Sequence, residues 1–227
     1  MSEGFDPLFS VRDKVVVVTG GFGQIGAEFV RELHGRGARV AVTSRREVAD
    51  PSAELGIADP EGRLLAVTMD ITDQQSVDAG FDRVLETWGV PTVVVNNAGL
   101  DTQPSAPPEV SGPFEQFPAE VFREVVDTNL VGTFLVTQAA GRRMRDAGLG
   151  GSIVNVGSIY GMVSPVQDIY AYKAEQTGIP FIKPVAYSAA KSGLYNLTRY
   201  CATYWGRAGI RVNTLTPSGV RRDTQDA

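Results

Sequence analysis

The sequence predicts an α/β fold, a doubly wound parallel sheet in three layers with helices on both faces. Short β-branched runs alternate along the chain with longer segments of helical spacing, the order expected of parallel strands joined by crossover helices. The first run, KVVVVT over 14–19, passes directly into the glycine-rich GGFGQIG and then a helical pattern. Further strands are expected at 39–43 (RVAVT), 64–69 (LLAVTM), 92–96 (TVVVN), 152–156 (SIVNV) and 210–215 (IRVNTL). Helices are expected over 24–36, 73–88, 119–147 and 185–207. Two stretches read as surface excursions. Residues 100–118 hold five prolines, which excludes regular structure and makes them a loop after the fourth strand. Residues 164–184, PVQDIYAYKAEQTGIPFIKP after Ser164, read as a loop inserted between the fifth strand and the last long helix. Both would leave the carboxyl ends of strands, where ligands bind in open parallel sheets. One domain over residues 1–227 is expected, because a chain of this length supports a single full-sized core.

Composition removes several function classes. A formal net charge of -5 leaves no basic footprint for nucleic acid or an anionic membrane surface. The only cysteine, Cys201, permits no intramolecular disulfide, which suits a reducing cytoplasm. The opening MSEGFDPLFSVRDK has no apolar signal-like core and no later apolar run is long enough to span a bilayer, so neither secretion nor membrane insertion is expected. With one histidine, His34, and one cysteine, the chain lacks the ligands of an ordinary zinc site and the members of a histidine-dependent triad. No metal is expected.

Glycines 20, 21, 23 and 26 follow a strand and open a helix, the context in which a glycine-rich turn points to a dinucleotide. Bare backbone lets the pyrophosphate approach the helix N-terminus, where unpaired N–H groups and the helix dipole favour negative charge; the competing reading is a purely structural turn. After the second strand the chain reads TSRRE. Ser44, Arg45 and Arg46 stand where an acid would otherwise hold a ribose 2′-hydroxyl, and guanidinium groups suit a 2′-phosphate. NADP is therefore the preferred cofactor and NAD the alternative, unless the arginines are merely solvated loop charges.

Tyr187 and Lys191 lie four apart on an expected helix, so both project from one face. A phenol ordinarily titrates near pH 10, and a neighbouring cation favours its ionised form. The pair YSAAK occurs in one chain with TGGFGQIG, DITD at 70–73, NNAG at 96–99, DTNLVGTF at 127–134, IVNVGS at 153–158 and IRVN at 210–213. Together these motifs closely resemble the short-chain dehydrogenase/reductase superfamily, over about residues 8–219. The resemblance implies that Tyr187 is the general acid/base, that Lys191 lowers its pKa and bonds the nicotinamide ribose, that Ser158 polarises the substrate carbonyl and that Asn129 holds a water linking Lys191 to solvent. It further implies a cofactor site made of Gly20, Phe22, Gly23, Gln24, Ile25 and Gly26, with Ser44, Arg45 and Arg46 at the ribose, Asp70 and Ile71 at the adenine, Asn97, Ala98 and Gly99 along the cleft, and Pro217 and Gly219 beside the nicotinamide. The substrate would be a small carbonyl or alcohol, and a homodimer or homotetramer is expected to form through the two long helices.

Three features depart from the family pattern. Gln24 stands where the short branch has glycine, and the Gly20, Gly23, Gly26 spacing is that of the extended branch, which leaves open a sugar or nucleotide-sugar epimerase or dehydratase. Ser158 and Tyr187 are 29 positions apart because of the insertion, which is similar to that of bacterial members linked to surface-sugar biosynthesis; Gln167, Asp168, Tyr170, Tyr172 and Lys173 are its candidate substrate contacts. The chain stops at RRDTQDA soon after Pro217, so the C-terminal lid and last strand of the family are expected to be absent from it. A third reading is a non-catalytic NAD(P)-sensing module, against which the full set of Asn129, Ser158, Tyr187 and Lys191 argues.

Overall fold

The computed structural model describes residues 9–102 and 110–220. Six strands, β1 (Val15–Thr19), β2 (Arg39–Ser44), β3 (Leu64–Thr68), β4 (Val93–Asn96), β5 (Gly151–Val156) and β6 (Ile210–Leu215), form one sheet in the order β3-β2-β1-β4-β5-β6. Every neighbouring pair is parallel. Each strand begins and ends within a residue of its expected limits. All of β1 is buried. Val15 and Val17 join a cluster with Phe81, Met144 and Trp205 on one side, while Val16 and Val18 join Val30, Val42 and Leu55 on the other. The two-residue period of the strand thus builds both interhelical layers at once.

The helices are α1 (Gln24–Gly35), α2 (Pro51–Leu55), α3 (Gln74–Trp88), α4 (Ala119–Val126), α5 (Thr133–Asp146), α6 (Ala171–Thr177) and α7 (Val185–Trp205). Three differ from the sequence reading. The continuous helix expected over 119–147 is broken by a π-helical segment, Asp127–Gly132, between α4 and α5. Asn129 lies in it, fully buried, with its side chain bonded to the loop after β4. The insertion is not wholly irregular. Its prolines sit near its ends at 165, 180 and 184, leaving a window that forms a short 3-10 turn, Gln167–Tyr170, and then α6, closed by Gly178 at φ 72°. Finally, α2 escaped notice because it is only five residues long, although Asp50 caps it, Pro51 opens it and Gly56 ends it. The 100–118 segment ends in a 3-10 turn at Phe114–Gln116. The C-terminal residues 221–227, on which the expectation of a missing lid and strand rested, lie outside the described residues.

The strand order reverses between β1 and β4, which opens a crevice at their carboxyl ends. Buried polar side chains stitch the floor together. Asn96 of β4 donates to Thr137 at 2.9 Å and to Asn155 of β5 at 2.8 Å, and Asn155 donates to Thr198 of α7 at 2.9 Å. On the other side of the crevice, Asn97 holds the glycine turn, donating to the carbonyls of Thr19 and Gly20 at 3.0 and 3.1 Å. A Cβ on Gly26 would lie 2.3 Å from the Gly20 carbonyl oxygen and 2.7 Å from Asn97 Nδ2. Gly26→Ala is accordingly expected to push α1 off the turn and lower stability by about 2 kcal/mol, as overpacking does, measured as a fall in denaturant midpoint. An unchanged midpoint would show that the turn yields more easily than its contacts imply.

Candidate active site

The site begins where β1 turns into α1. Gly20 takes φ 61°, and a Cβ there would stand 2.9 Å from Ala98 Cα, so the turn lies directly against the end of β4. Gly23 is different, since a Cβ on it would meet only the Gly20 carbonyl oxygen, at 3.3 Å. No side chain caps α1, and its first turn carries no acid. Its first N–H groups therefore face the crevice with a favourable dipole for an anion.

A cleft of about 560 Å³ runs from this turn across the strand ends. Its walls are Gly20, Phe22, Gly23, Gln24 and Ile25 from the turn and the start of α1, Ser44, Arg45 and Arg46 at and after the end of β2, Asp70 and Ile71 from the loop after β3, and Asn97, Ala98 and Gly99 from the loop after β4. Gly26 lies beneath, as packing rather than lining. The Asp70 carboxyl is held below the usual carboxylate range by the backbone N–H and hydroxyl of Thr72, at 2.9 and 2.7 Å, with the Arg45 charge assisting. The two arginines are not equivalent. Both line the cleft, but Arg46 is paired with Glu54 and sits 5.6 Å from the centre of the Phe22 ring, whereas Arg45 places its charge near Asp70. An uncapped helix start, a bare turn and an elongated cleft across four strand ends suit a dinucleotide.

The cleft continues past Gln24, Ile25, Asn97, Gly99 and Leu100 into a second cavity of about 450 Å³, which contains Ser158, Tyr187, Lys191, Pro217 and Gly219. α7 supplies Tyr187 and Lys191 from one face. Lys191 is only 5% exposed, and its Nζ donates to the Val156 carbonyl at the end of β5 at 2.6 Å, 5.6 Å from the Tyr187 ring centre. Burial depresses its pKa to about 8, the Asp101 charge acting in the opposite direction. Burial likewise pushes the Tyr187 phenol above its ordinary value, and a hydrogen bond with Ser158 pulls it back. Ser158 is aimed by a turn clamped to α7. Tyr195 donates to its carbonyl at 3.0 Å, Ser192 donates to the Gly161 carbonyl at 2.9 Å, and a Cβ on Gly161 would meet the Tyr195 ring at 2.6 Å. Serine and tyrosine thus come together although an insertion separates them in sequence. Asn129 comes from the π-helical segment. Its side chain accepts from Leu100 N–H at 2.7 Å and donates to Leu100 carbonyl at 2.8 Å, holding the cleft wall.

Of the five insertion residues expected to meet substrate, only Tyr170 lines the cavity, its hydroxyl 2.9 Å from that of Tyr160. Gln167 instead clips the insertion together through both backbone groups of Lys183, at 2.9 and 3.2 Å. Tyr172 is 44% exposed with Lys173 against its ring, and Asp168 and Lys173 lie outside the cavity lining. Sequence reasoning missed Asp101, Tyr160 and Lys183, which do line it. Lys183, 6% exposed, donates to Asp101 Oδ1 at 2.5 Å. No local pattern announces a pair 82 residues apart.

A family model described as enoyl-(acyl carrier protein) reductase matches residues 23–227. A cis-4-hydroxycyclohexanecarboxylate dehydrogenase of Sinomonas cyclohexanicum is 37% identical over 90% of this chain and 72% of its own length. The chain belongs to the short-chain dehydrogenase/reductase superfamily. Within that superfamily, an L-rhamnose 1-dehydrogenase (NAD(P)(+)) of Azotobacter vinelandii is 31% identical over 93% of this chain and 75% of its own length. A crystal structure of a short chain dehydrogenase from Leptospira borgpetersenii with bound NAD+ superimposes with a TM-score of 0.78 at 30% identity, over 95% of this chain and 75% of that one. The protein is an enzyme of this oxidoreductase superfamily. No helix among the described residues is long and apolar enough to cross a membrane.

Proposed function

We propose that this enzyme interconverts a carbonyl and an alcohol on a neutral, hydroxyl-bearing substrate, sugar or polyol in character, with NADP(H) as redox partner. The observation that carries the reading is the junction of the two cavities, where Tyr187, Ser158 and Lys191 meet the end of the long cleft. Bound there, a nicotinamide supplies or accepts the hydride. Tyr187 gives its proton to the oxygen of a carbonyl substrate, and accepts one from an alcohol. Ser158 bonds the same oxygen and orients it. Lys191, fixed by the Val156 carbonyl, stabilises the phenolate that proton donation leaves. Burial raises the Tyr187 pKa, so the phenol holds its proton through the neutral range, and the hydrogen bond with Ser158 acts in the opposite direction. Turnover of sugar, polyol and ketone panels with both cofactors tests the reading; absence of any cofactor-linked turnover would overturn it.

The cofactor preference rests on Arg45, because Arg46 already has Glu54 as partner. Arg45→Ala is expected to raise the KM for NADPH about tenfold, the scale of one charge-assisted contact to phosphate, and to leave that for NADH nearly unchanged. Equal effects on both would assign Arg45 to general charge rather than to the 2′-phosphate. Subunit association through α7 is supported by Tyr200 and Tyr204, 64% and 62% exposed and stacked at 5.8 Å. A single domain in the cytoplasm accords with one continuous sheet and a lone buried cysteine.

A further inference from the structure

The second cavity holds two phenols that the reaction just described does not use. Tyr160 comes from the 3-10 turn Ile159–Gly161 that follows Ser158, and its backbone N–H donates to Ser158 Oγ at 3.2 Å. Tyr170 comes from the insertion, where its ring meets that of the buried Phe181 edge-on at 5.1 Å between centres. The two hydroxyl oxygens stand 2.9 Å apart, and both residues line the cavity that contains Ser158, Tyr187 and Lys191. Both supporting elements are fixed. The turn that carries Tyr160 is clamped to α7 by the bond from Ser192 to the Gly161 carbonyl, and the insertion that carries Tyr170 is clipped by Gln167 to Lys183. Burial, and then the hydrogen bond with Tyr160, raise the Tyr170 phenol above its ordinary value, so it keeps its proton through neutral pH.

We infer that the Tyr160 and Tyr170 hydroxyls form a substrate subsite that binds a second hydroxyl of the substrate, beyond the carbon that reacts. This inference rests on the polyol reading above. Two phenols carry two protons, and the bond between them uses one. Neither hydroxyl makes another hydrogen bond among the described residues. The phenol that accepts therefore still has a proton to give, and the phenol that donates keeps lone pairs. A substrate hydroxyl, at once donor and acceptor, matches what the pair leaves open. The bond that one phenol accepts also polarises its own O–H and strengthens its donation. Because the pair is assembled before substrate arrives, little side-chain freedom is lost on binding. A substrate with only hydrocarbon at this place would leave the open proton unmet, which costs affinity. The insertion thereby gains a role, since it brings a second phenol to the one that the turn after Ser158 already holds.

Reduction of cyclohexanone and of its 2-, 3- and 4-hydroxy derivatives tests this, with both cofactors supplied and kcat/KM compared in the wild type, Tyr160→Phe, Tyr170→Phe and the double variant. The wild type should favour at least one hydroxyketone over cyclohexanone by about tenfold. The double variant keeps both rings and loses both hydroxyls, and that ratio should fall to within about twofold of unity. A merely structural link between turn and insertion would lower the rates for hydroxyketone and cyclohexanone together and leave their ratio where it was. Melting curves identify a variant that has lost its fold. If the double variant has, the single variants decide by the same ratio, at least one of them losing about threefold or more. A wild-type preference that survives in the folded variants overturns the subsite and leaves the polyol reading standing, with the second hydroxyl bound elsewhere in the cavity. A wild type without any such preference overturns the polyol reading and the subsite with it. No turnover of any of these ketones overturns both.

Discussion

Tyr187→Phe is expected to lower turnover about a thousandfold while leaving cofactor affinity within about threefold of the parent, the middle of the range for removing a general acid. The substitution deletes one hydroxyl from a partly buried ring on α7 and retains most of its volume, so the helix and its packing should persist. What disappears is the proton at the junction of the two cavities and the hydrogen bond with Ser158. The turn, the arginines and Asp70 that line the long cleft lie on other elements, which is why binding of NADPH, followed by fluorescence titration, should survive. Turnover above about a tenth of the parent's would remove Tyr187 from the acid/base role.

Lys191→Met is expected to lower turnover at least a hundredfold and, separately, to alter how stability responds to alkali. The sign follows from the depressed pKa. Native Lys191 titrates at about 8 because of burial, against 10.5 for the ordinary group. Between those values the unfolded chain holds a proton that the native chain has released, so raising the pH favours the native state across that window. This single group contributes about 3 kcal/mol of stability gained from pH 8 to 10.5, and no further change beyond it. The difference in unfolding free energy between parent and Lys191→Met should therefore grow in the parent's favour over the window. A difference independent of pH would mean that Lys191 is not buried as a charge. The functional loss and the relieved desolvation penalty are two faces of one arrangement, in which a buried ammonium is held by the Val156 carbonyl.

The strand runs, the glycine turn and the four-residue spacing of Tyr187 and Lys191 were legible in the sequence because each is governed by local geometry. A β-branched run buried on two faces, a turn needing positive φ at Gly20, and two side chains on one helical face are all specified within a few neighbours. The family followed from their order along the chain. Other features depend on groups far apart in sequence. The π-helical break at Asn129 answers to Leu100, and the role of Gln167 as a clip answers to Lys183. The helix inside the insertion was hidden by prolines that turned out to flank it. The ion pair of Asp101 with Lys183 in the second cavity could not be read from either residue singly. Only the tertiary structure brings these residues together across 82 positions, and electrostatic energy depends on the distance and burial that it alone supplies.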